Sequence, residues 1–311
     1  MLLAQQFLQT NYVDKEHRSM YRVLPPFKYL EPKTIGETIQ ILSTYGAQVK
    51  VLAGGTDLVV SMKKRQATPQ YVAYIKNIPN LDCIEYSEAD GLRIGPLATH
   101  KSIATSPIIR DKFEVLATAC SKIGTPHTRT TGTIGGNICM AGPSQDTPPA
   151  LLVLDAKLKL VSSEGERIVP IDGFFIAPFK TIIKEAELLT EIQIPDLPPK
   201  TAGSYQWTTK RTVVDETLAG VAVLMTLDDN NTCKNIRIGL CSVAPTSMRA
   251  KRAEEVLKGR KLEDKLIEEA AQTAMDEARP RSRADYRRRM TGILVKKAIN
   301  EAWQKIRQEI G

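Results

Sequence analysis

Two glycine pairs constrain this chain more than any other feature. One lies in Ala53-Gly54-Gly55-Thr56-Asp57-Leu58, the other in Thr133-Ile134-Gly135-Gly136-Asn137-Ile138. Glycine lacks a Cβ, so such a pair lets the backbone turn sharply and approach a neighbouring group closely. Amide N–H groups converging at the turn make an anion-binding concavity, and a helix start beside it adds the positive end of a dipole. The run Val49-Lys50-Val51-Leu52-Ala53 reads as a strand leading into the first pair, and Thr56 or Asp57 can cap a following helix. Strand, Gly-Gly, helix is the order of a phosphate cradle. Two such turns facing each other would hold a diphosphate from both sides.

The rest of the sequence narrows the class. Hydrophobic residues make up 42% and charged residues 25%, enough for real cores in two domains. No run approaches the roughly 18 consecutive apolar residues of a membrane span. Residues 1–20 lack the basic and long apolar segments of a secretory leader, which points to the cytoplasm. Five cysteines are scattered without a Cys-x-x-Cys pair, and with three histidines no protein-bound metal is expected. Much of the net charge of +8 comes from arginines between 279 and 289. No nucleic-acid motif accompanies them, and an aromatic content of 5% leaves few stacking platforms, so nucleic acid is not an expected partner. These arginines read as the exposed start of a helix, suited to pairing with carboxylates of another protein.

Local signals place the elements. Thr34-Ile35-Gly36-Glu37 is a capping box opening a helix that Gly46 ends. Residues 111–123 predict one helix with Phe113, Leu116 and Cys120 on one side. Residues 124–132, rich in Thr, Gly and Pro, predict a loop. An apolar helix at 148–154, a hairpin of 158–161 with 167–169, and a strand at 189–194 follow. Asp196-Leu197-Pro198-Pro199-Lys200 is the best boundary in the chain. Beyond it, strands at 220–227 and 236–243 precede two or three helices. The last, over 284–308, carries Tyr286, Met290, Leu294, Ala298, Ala302 and Ile306 as its core stripe. The expected fold class is α+β: an N-terminal extension over 1–24, a domain over 25–200 with subdomains of about 25–80 and 81–200, and a C-terminal domain over 201–311 built of strands then helices.

With these segments in this order, the chain resembles the FAD-binding medium subunit of the molybdenum hydroxylases, the family of the carbon monoxide dehydrogenase flavoprotein and of xanthine dehydrogenase. The likeness rests on both glycine motifs, on Asp146 with Pro149-Ala150-Leu151-Leu152, and on Leu188-Leu189-Thr190-Glu191-Ile192. In the C-terminal part it rests on Tyr205, Ala244-Pro245-Thr246 and Tyr286-Arg287-Arg288. The resemblance implies a two-part FAD-binding domain of the p-cresol methylhydroxylase type, an α+β C-terminal domain, and FAD lying extended and non-covalently bound between them. It implies that Val51, Leu52, Ala53, Gly54, Gly55, Thr56, Asp57 and Leu58, with Thr133, Ile134, Gly135, Gly136 and Asn137, hold FAD, both glycine turns offering backbone N–H groups to its diphosphate. Asp146 matches a contact to the adenosine end. Ile123, Leu188 and Leu189 match apolar contacts, and Tyr205 and Gln206 match positions near the isoalloxazine ring. Gln206 stands where a lysine contacts the flavin in xanthine dehydrogenase. No catalytic acid, base or nucleophile is implied on this chain. Molybdopterin is expected on a large partner subunit and [2Fe–2S] clusters on a small one, in a dimer of heterotrimers that passes electrons through FAD to an external acceptor. A stand-alone FAD-dependent oxidase or dehydrogenase, and a basic docking or nucleic-acid module, are the alternative readings.

Overall fold

The structure, a computed structural model, describes residues 23–211 and 215–310. The N-terminal extension read over 1–24 therefore lies almost wholly outside the described residues. The fold is mixed α and β, and three of its sheets follow one another along the chain. The first is parallel, with β1 (Lys28–Leu30), β2 (Val49–Leu52) and β3 (Tyr71–Tyr74) in the order β1-β3-β2. Parallel strands need a crossover, and helix α1 (Ile35–Tyr45) supplies the one between the two edge strands, β1 and β2. Thr34 caps it by accepting the Glu37 N–H at 3.1 Å, Glu37 accepts the Lys33 N–H at 2.7 Å, and Gly46 closes it at φ +48°.

The second sheet is antiparallel, in the order β4 (Ile84–Ser87), β5 (Gly91–Ile94), β10 (Leu188–Ile194), β6 (Lys157–Ser162), β7 (Gly165–Pro170). Between β7 and β10 the chain makes a small hairpin, β8 (Phe175–Ala177) with β9 (Lys180–Thr181). Successive side chains of a strand point to opposite faces, and β10 uses this to join two cores. Leu188 packs with Leu42, Val49 and Ala73, while Leu189 joins Leu116, Leu151 and Ile192.

The third sheet, β11 (Thr201–Thr209), β12 (Thr217–Leu227), β13 (Cys233–Cys241) and β14 (Met248–Arg249), is antiparallel and covered on both faces. Val221, Val223 and Met225 of β12 share a core with α10 (Asp264–Glu277) and α11 (Ala284–Ile310). Ala222 and Leu224 alternate with them and join the core of the preceding domain. This alternation welds the two domains together and puts a seam of polar loops at their edge.

Four sequence expectations are corrected. The helix read over 111–123 is broken into α4 (Pro107–Lys112) and α5 (Glu114–Lys122), because Phe113 leaves helical geometry at φ −130°, ψ 43°. Its ring is thereby fully buried. The loop read over 124–132 contains helix α6 (Pro126–Thr131), with Thr125 as its cap and Pro126 at its first position. The strand β11, which holds Tyr205, was not anticipated as an element. In α11, Leu294, Ala298, Ala302 and Ile306 are buried as expected, but Tyr286 is 43% exposed. A row spaced by four residues precesses about 40° per step around a 3.6-residue helix. By the N-terminal end the inward positions have moved to Thr291 and Arg287.

Candidate functional site

The first glycine turn lies against the residues that lead into the second motif. A Cβ on Gly54 would lie 2.2 Å from the Thr131 carbonyl oxygen and 2.8 Å from the Gly132 Cα, so no side chain fits between the first turn and the end of α6. Gly55 adopts φ +73°, a conformation other residues rarely take. The second pair is not at a loop apex but in the first turn of helix α7 (Ile134–Met140), capped by Thr133. There Gly135 is pressed on Pro96, whose Cβ would lie 2.4 Å from an added Cβ.

The backbone donors of the two motifs differ. Ile134 N–H donates to the Ala98 carbonyl (3.0 Å) and Gly135 N–H to the Pro96 carbonyl (2.9 Å). Gly136 N–H donates to Thr133 Oγ1 (3.1 Å) and Asn137 N–H to the Thr133 carbonyl (3.0 Å). The amides of Ile134 through Asn137 are thus paired within the protein. In the first motif, no acceptor among the described residues takes the amides of Ala53 through Leu58. Asp57 occupies the N-cap position of α2 (Leu58–Lys63) without capping it, so its exposed carboxylate is not committed to the helix. The first turn is a cradle with its donors open. The second braces it.

A cleft of about 440 Å³ opens at the domain seam. Asp57, Met140, Gly142–Gln145 and Phe179 line it from the first domain, and Glu216, Ser242, Ala244, Arg281 and Arg287 from the second. Beneath it lies Asp146, buried and accepting the Tyr205 hydroxyl at 2.6 Å and the Thr217 hydroxyl at 2.7 Å on the same oxygen. Burial pushes the Asp146 carboxyl above its ordinary range even though both hydroxyls donate to it, and raises Tyr205 well above the usual phenol. Tyr205 stacks on Trp207 with centroids 6.1 Å apart, and Lys122 sits 4.1 Å over the indole.

Three polar atoms at this cleft are buried without a partner: Gln145 Oε1, Ser242 Oγ and Arg287 Nε. Such atoms cost free energy unless something pairs with them. Unpaired amides in the cradle, unpaired donors and acceptors in the cleft, and a glycine turn of positive φ fit a polar, anionic, extended ligand such as a dinucleotide. His100, behind the second motif, is different. It is buried against Gly132, and desolvation with the nearby Arg129 charge depresses it to about 4, so it is a neutral packing group at pH 7.

Of the residues expected at the site, Asp57 lines the cleft, Asp146 and Tyr205 are hydrogen-bonded to each other, Val51 and Ala53 pack on the core of the first sheet, and Ile134 is buried in the core of the second. The Tyr205–Asp146 hydrogen bond puts these two side chains at one place, so they cannot serve opposite ends of an extended cofactor. Leu188 and Leu189 are core residues, and Ile123 ends α5 with its carbonyl accepting Arg129 Nη1 at 3.0 Å. Gln206 is corrected. It lies on the face of β11 opposite Tyr205, with Nε2 donating to Ser204 Oγ at 3.1 Å and to Glu301 of α11. Thr217, Gln145, Ser242 and Arg287 were missed as site residues. Arg287 had been grouped with exposed arginines, but its Nη1 donates to the Ser242 carbonyl. Stepping back from Ile306 through the buried Ala302, Ala298, Val295 and Thr291, four residues at a time with one step of three, reaches it.

An open amide cradle and a polar cleft beside it fit a protein that holds a nucleotide cofactor. A family model described as the FAD binding domain in molybdopterin dehydrogenase matches residues 25–197, and one described as the CO dehydrogenase flavoprotein C-terminal domain matches residues 206–302. The carbon monoxide dehydrogenase medium chain of Hydrogenophaga pseudoflava is 35% identical over 288 residues, 91% of this chain and 99% of its own. A putative xanthine dehydrogenase FAD-binding subunit of Escherichia coli is 31% identical over 279 residues, 88% of this chain and 95% of its own. A solved structure of the Hydrogenophaga pseudoflava carbon monoxide dehydrogenase matches with a TM-score of 0.87, covering 91% of this chain and 99% of that one. The chain belongs to the family of FAD-binding medium subunits of molybdenum hydroxylases, and is an oxidoreductase flavoprotein subunit.

Proposed function

We propose that this chain carries non-covalent FAD and serves electron transfer in a multi-subunit molybdenum hydroxylase. In this reading [2Fe–2S] clusters lie on a small partner subunit, molybdopterin on a large one, and the whole is a cytoplasmic dimer of heterotrimers. The observation that carries the reading is the run of open amides from Ala53 to Leu58, at the edge of a cleft whose buried polar atoms lack partners. When bound, FAD supplies the exchange between one-electron and two-electron carriers. The chain's own residues bind and orient. The cradle's N–H groups would hold the diphosphate, Gly54 lets the cradle lie against the end of α6, and Gly55 supplies the turn. The buried Asp146–Tyr205–Thr217 cluster ties the first domain to β11 and β12 beside the cleft. No described helix is long and apolar enough to cross a membrane.

The test is purification from the native host. The chain is expected with one FAD, with molybdenum and iron on co-purifying subunits, and with all flavin released by acid precipitation. Flavin retained in the precipitate would overturn non-covalent binding. A flavin-loaded chain that oxidises substrate alone, with no molybdenum- or iron-bearing partner, would overturn the multi-subunit reading.

A further inference from the structure

Resting on that reading and deepening it, we propose that Arg287 is the cation the C-terminal domain supplies to the cofactor, pairing with an anionic group of FAD across the interdomain cleft. The guanidinium sits at the start of α11, with its backbone carbonyl accepting the Thr291 hydroxyl at 2.8 Å. One end is anchored, Nη1 donating to the Ser242 carbonyl. The Nε–H beside it is buried and has no acceptor. Among the described residues no carboxylate lies within ion-pair distance of Arg287, although Asp57 and Glu216 line the same cleft.

Arginine stays charged in proteins, and its planar fork is made for paired oxygens. A half-buried guanidinium with an unmet donor is costly unless an anion completes it. The surroundings show where that anion belongs. Gln145 Oε1 and Ser242 Oγ are also buried without partners at this cleft, and Asp57 brings the rim of the open amide cradle to the same cavity. The cradle supplies neutral donors from the first domain, and Arg287 supplies charge from the second. One ligand touching both would tie the domains together. The neighbouring Arg288 is exposed, its Nε only 3.5 Å from the Ala278 carbonyl, and takes no part in the cleft. FAD offers two electron-rich groups, the diphosphate and the oxygen- and nitrogen-bearing edge of the flavin ring.

The test compares the full chain with R287Q, R287K and R288Q. Each is stripped of flavin and titrated with FAD and with riboflavin, and thermal midpoints are read with and without FAD. R287Q is expected to weaken FAD about ten- to a hundred-fold, the range for a charge-assisted hydrogen bond. R287K is expected to keep part of the affinity, and R288Q all of it. The rise in midpoint on adding FAD should shrink in R287Q whatever happens to the flavin-free midpoint. A loss seen with FAD but not riboflavin assigns Arg287 to the diphosphate, and a loss with both assigns it to the ring. R287Q that binds FAD as the parent does, or that loses flavin-free stability while keeping the full FAD-induced rise, overturns the proposal. A parent chain that binds no FAD would instead remove the flavoprotein reading.

Discussion

The amides of Ala53 through Leu58 have no acceptor among the described residues, whereas those of Ile134 through Asn137 are all paired within the protein. Both motifs carry adjacent glycines, and in each pair one glycine is a steric seam. Gly54 admits the backbone of Thr131 and Gly132, and Gly135 admits Pro96. The partners differ. Gly55 adopts a left-handed backbone at φ +73°. Gly136 meets only the hydroxyl of its own cap, Thr133, 3.0 Å from an added Cβ. One motif presents donors, and the other is a helix start that buttresses it. A glycine pair in a sequence announces close backbone approach, but whether a ligand or the protein itself makes that approach depends on where the N–H groups find acceptors.

Gly135→Val should break the buttress and have the largest effect. Overpacking against the rigid Pro96 ring costs about 3 kcal/mol or more, and the helix start cannot shift without losing its capped amides. Urea denaturation reads this directly, and a midpoint equal to the parent's would show that the seam yields freely. Asp146→Ala comes next. It strands the buried Tyr205 and Thr217 hydroxyls, a loss of about 2–3 kcal/mol, with Asp146→Asn recovering most of it. Equal stability of the Ala and Asn variants would contradict the shared-acceptor account.

A pH experiment probes the buttress alone. His100 is depressed to about 4 in the folded protein, below its ordinary 6.5, so the unfolded chain takes up the proton first. Stability from this group is complete above the ordinary value and is lost as pH falls toward the folded one, about 2 kcal/mol between pH 7 and 5. The raised Asp146 carboxyl acts in the opposite sense as pH falls. The measurement is therefore the difference between the parent and His100→Gln, whose stability should vary less over this window. Parallel pH profiles would refute it. The smallest change in stability belongs to the cradle. Gly55→Ala places a Cβ in a left-handed conformation at a cost of about 1–2 kcal/mol, yet should cut FAD affinity far more than Gly136→Ala does. Flavin titration of the two variants ranks them, and the reverse order would exchange the roles given to the two motifs.

The capping box at Thr34, the strand before Gly54, the hairpin over 157–170 and the long last helix were legible because each depends on neighbours a few residues away. So were the two glycine motifs, because each is contiguous. Phe113 breaking its helix was not legible. Local propensity favours continuation, and only the core into which its ring packs makes the break worthwhile. Which face of β11 packs on the first domain was also undecided. Tyr205 and Gln206 are adjacent in sequence and opposite in space, and a strand's faces are assigned only when sheets and helices close on them. Arg287 shows the same division. Its sequence neighbours Arg288 and Arg289 are exposed, and the sequence supplied all three charges alike. The packing of α11 on the third sheet turned one of them into the seam between domains, because burial is a property of the assembled layers and not of the residue.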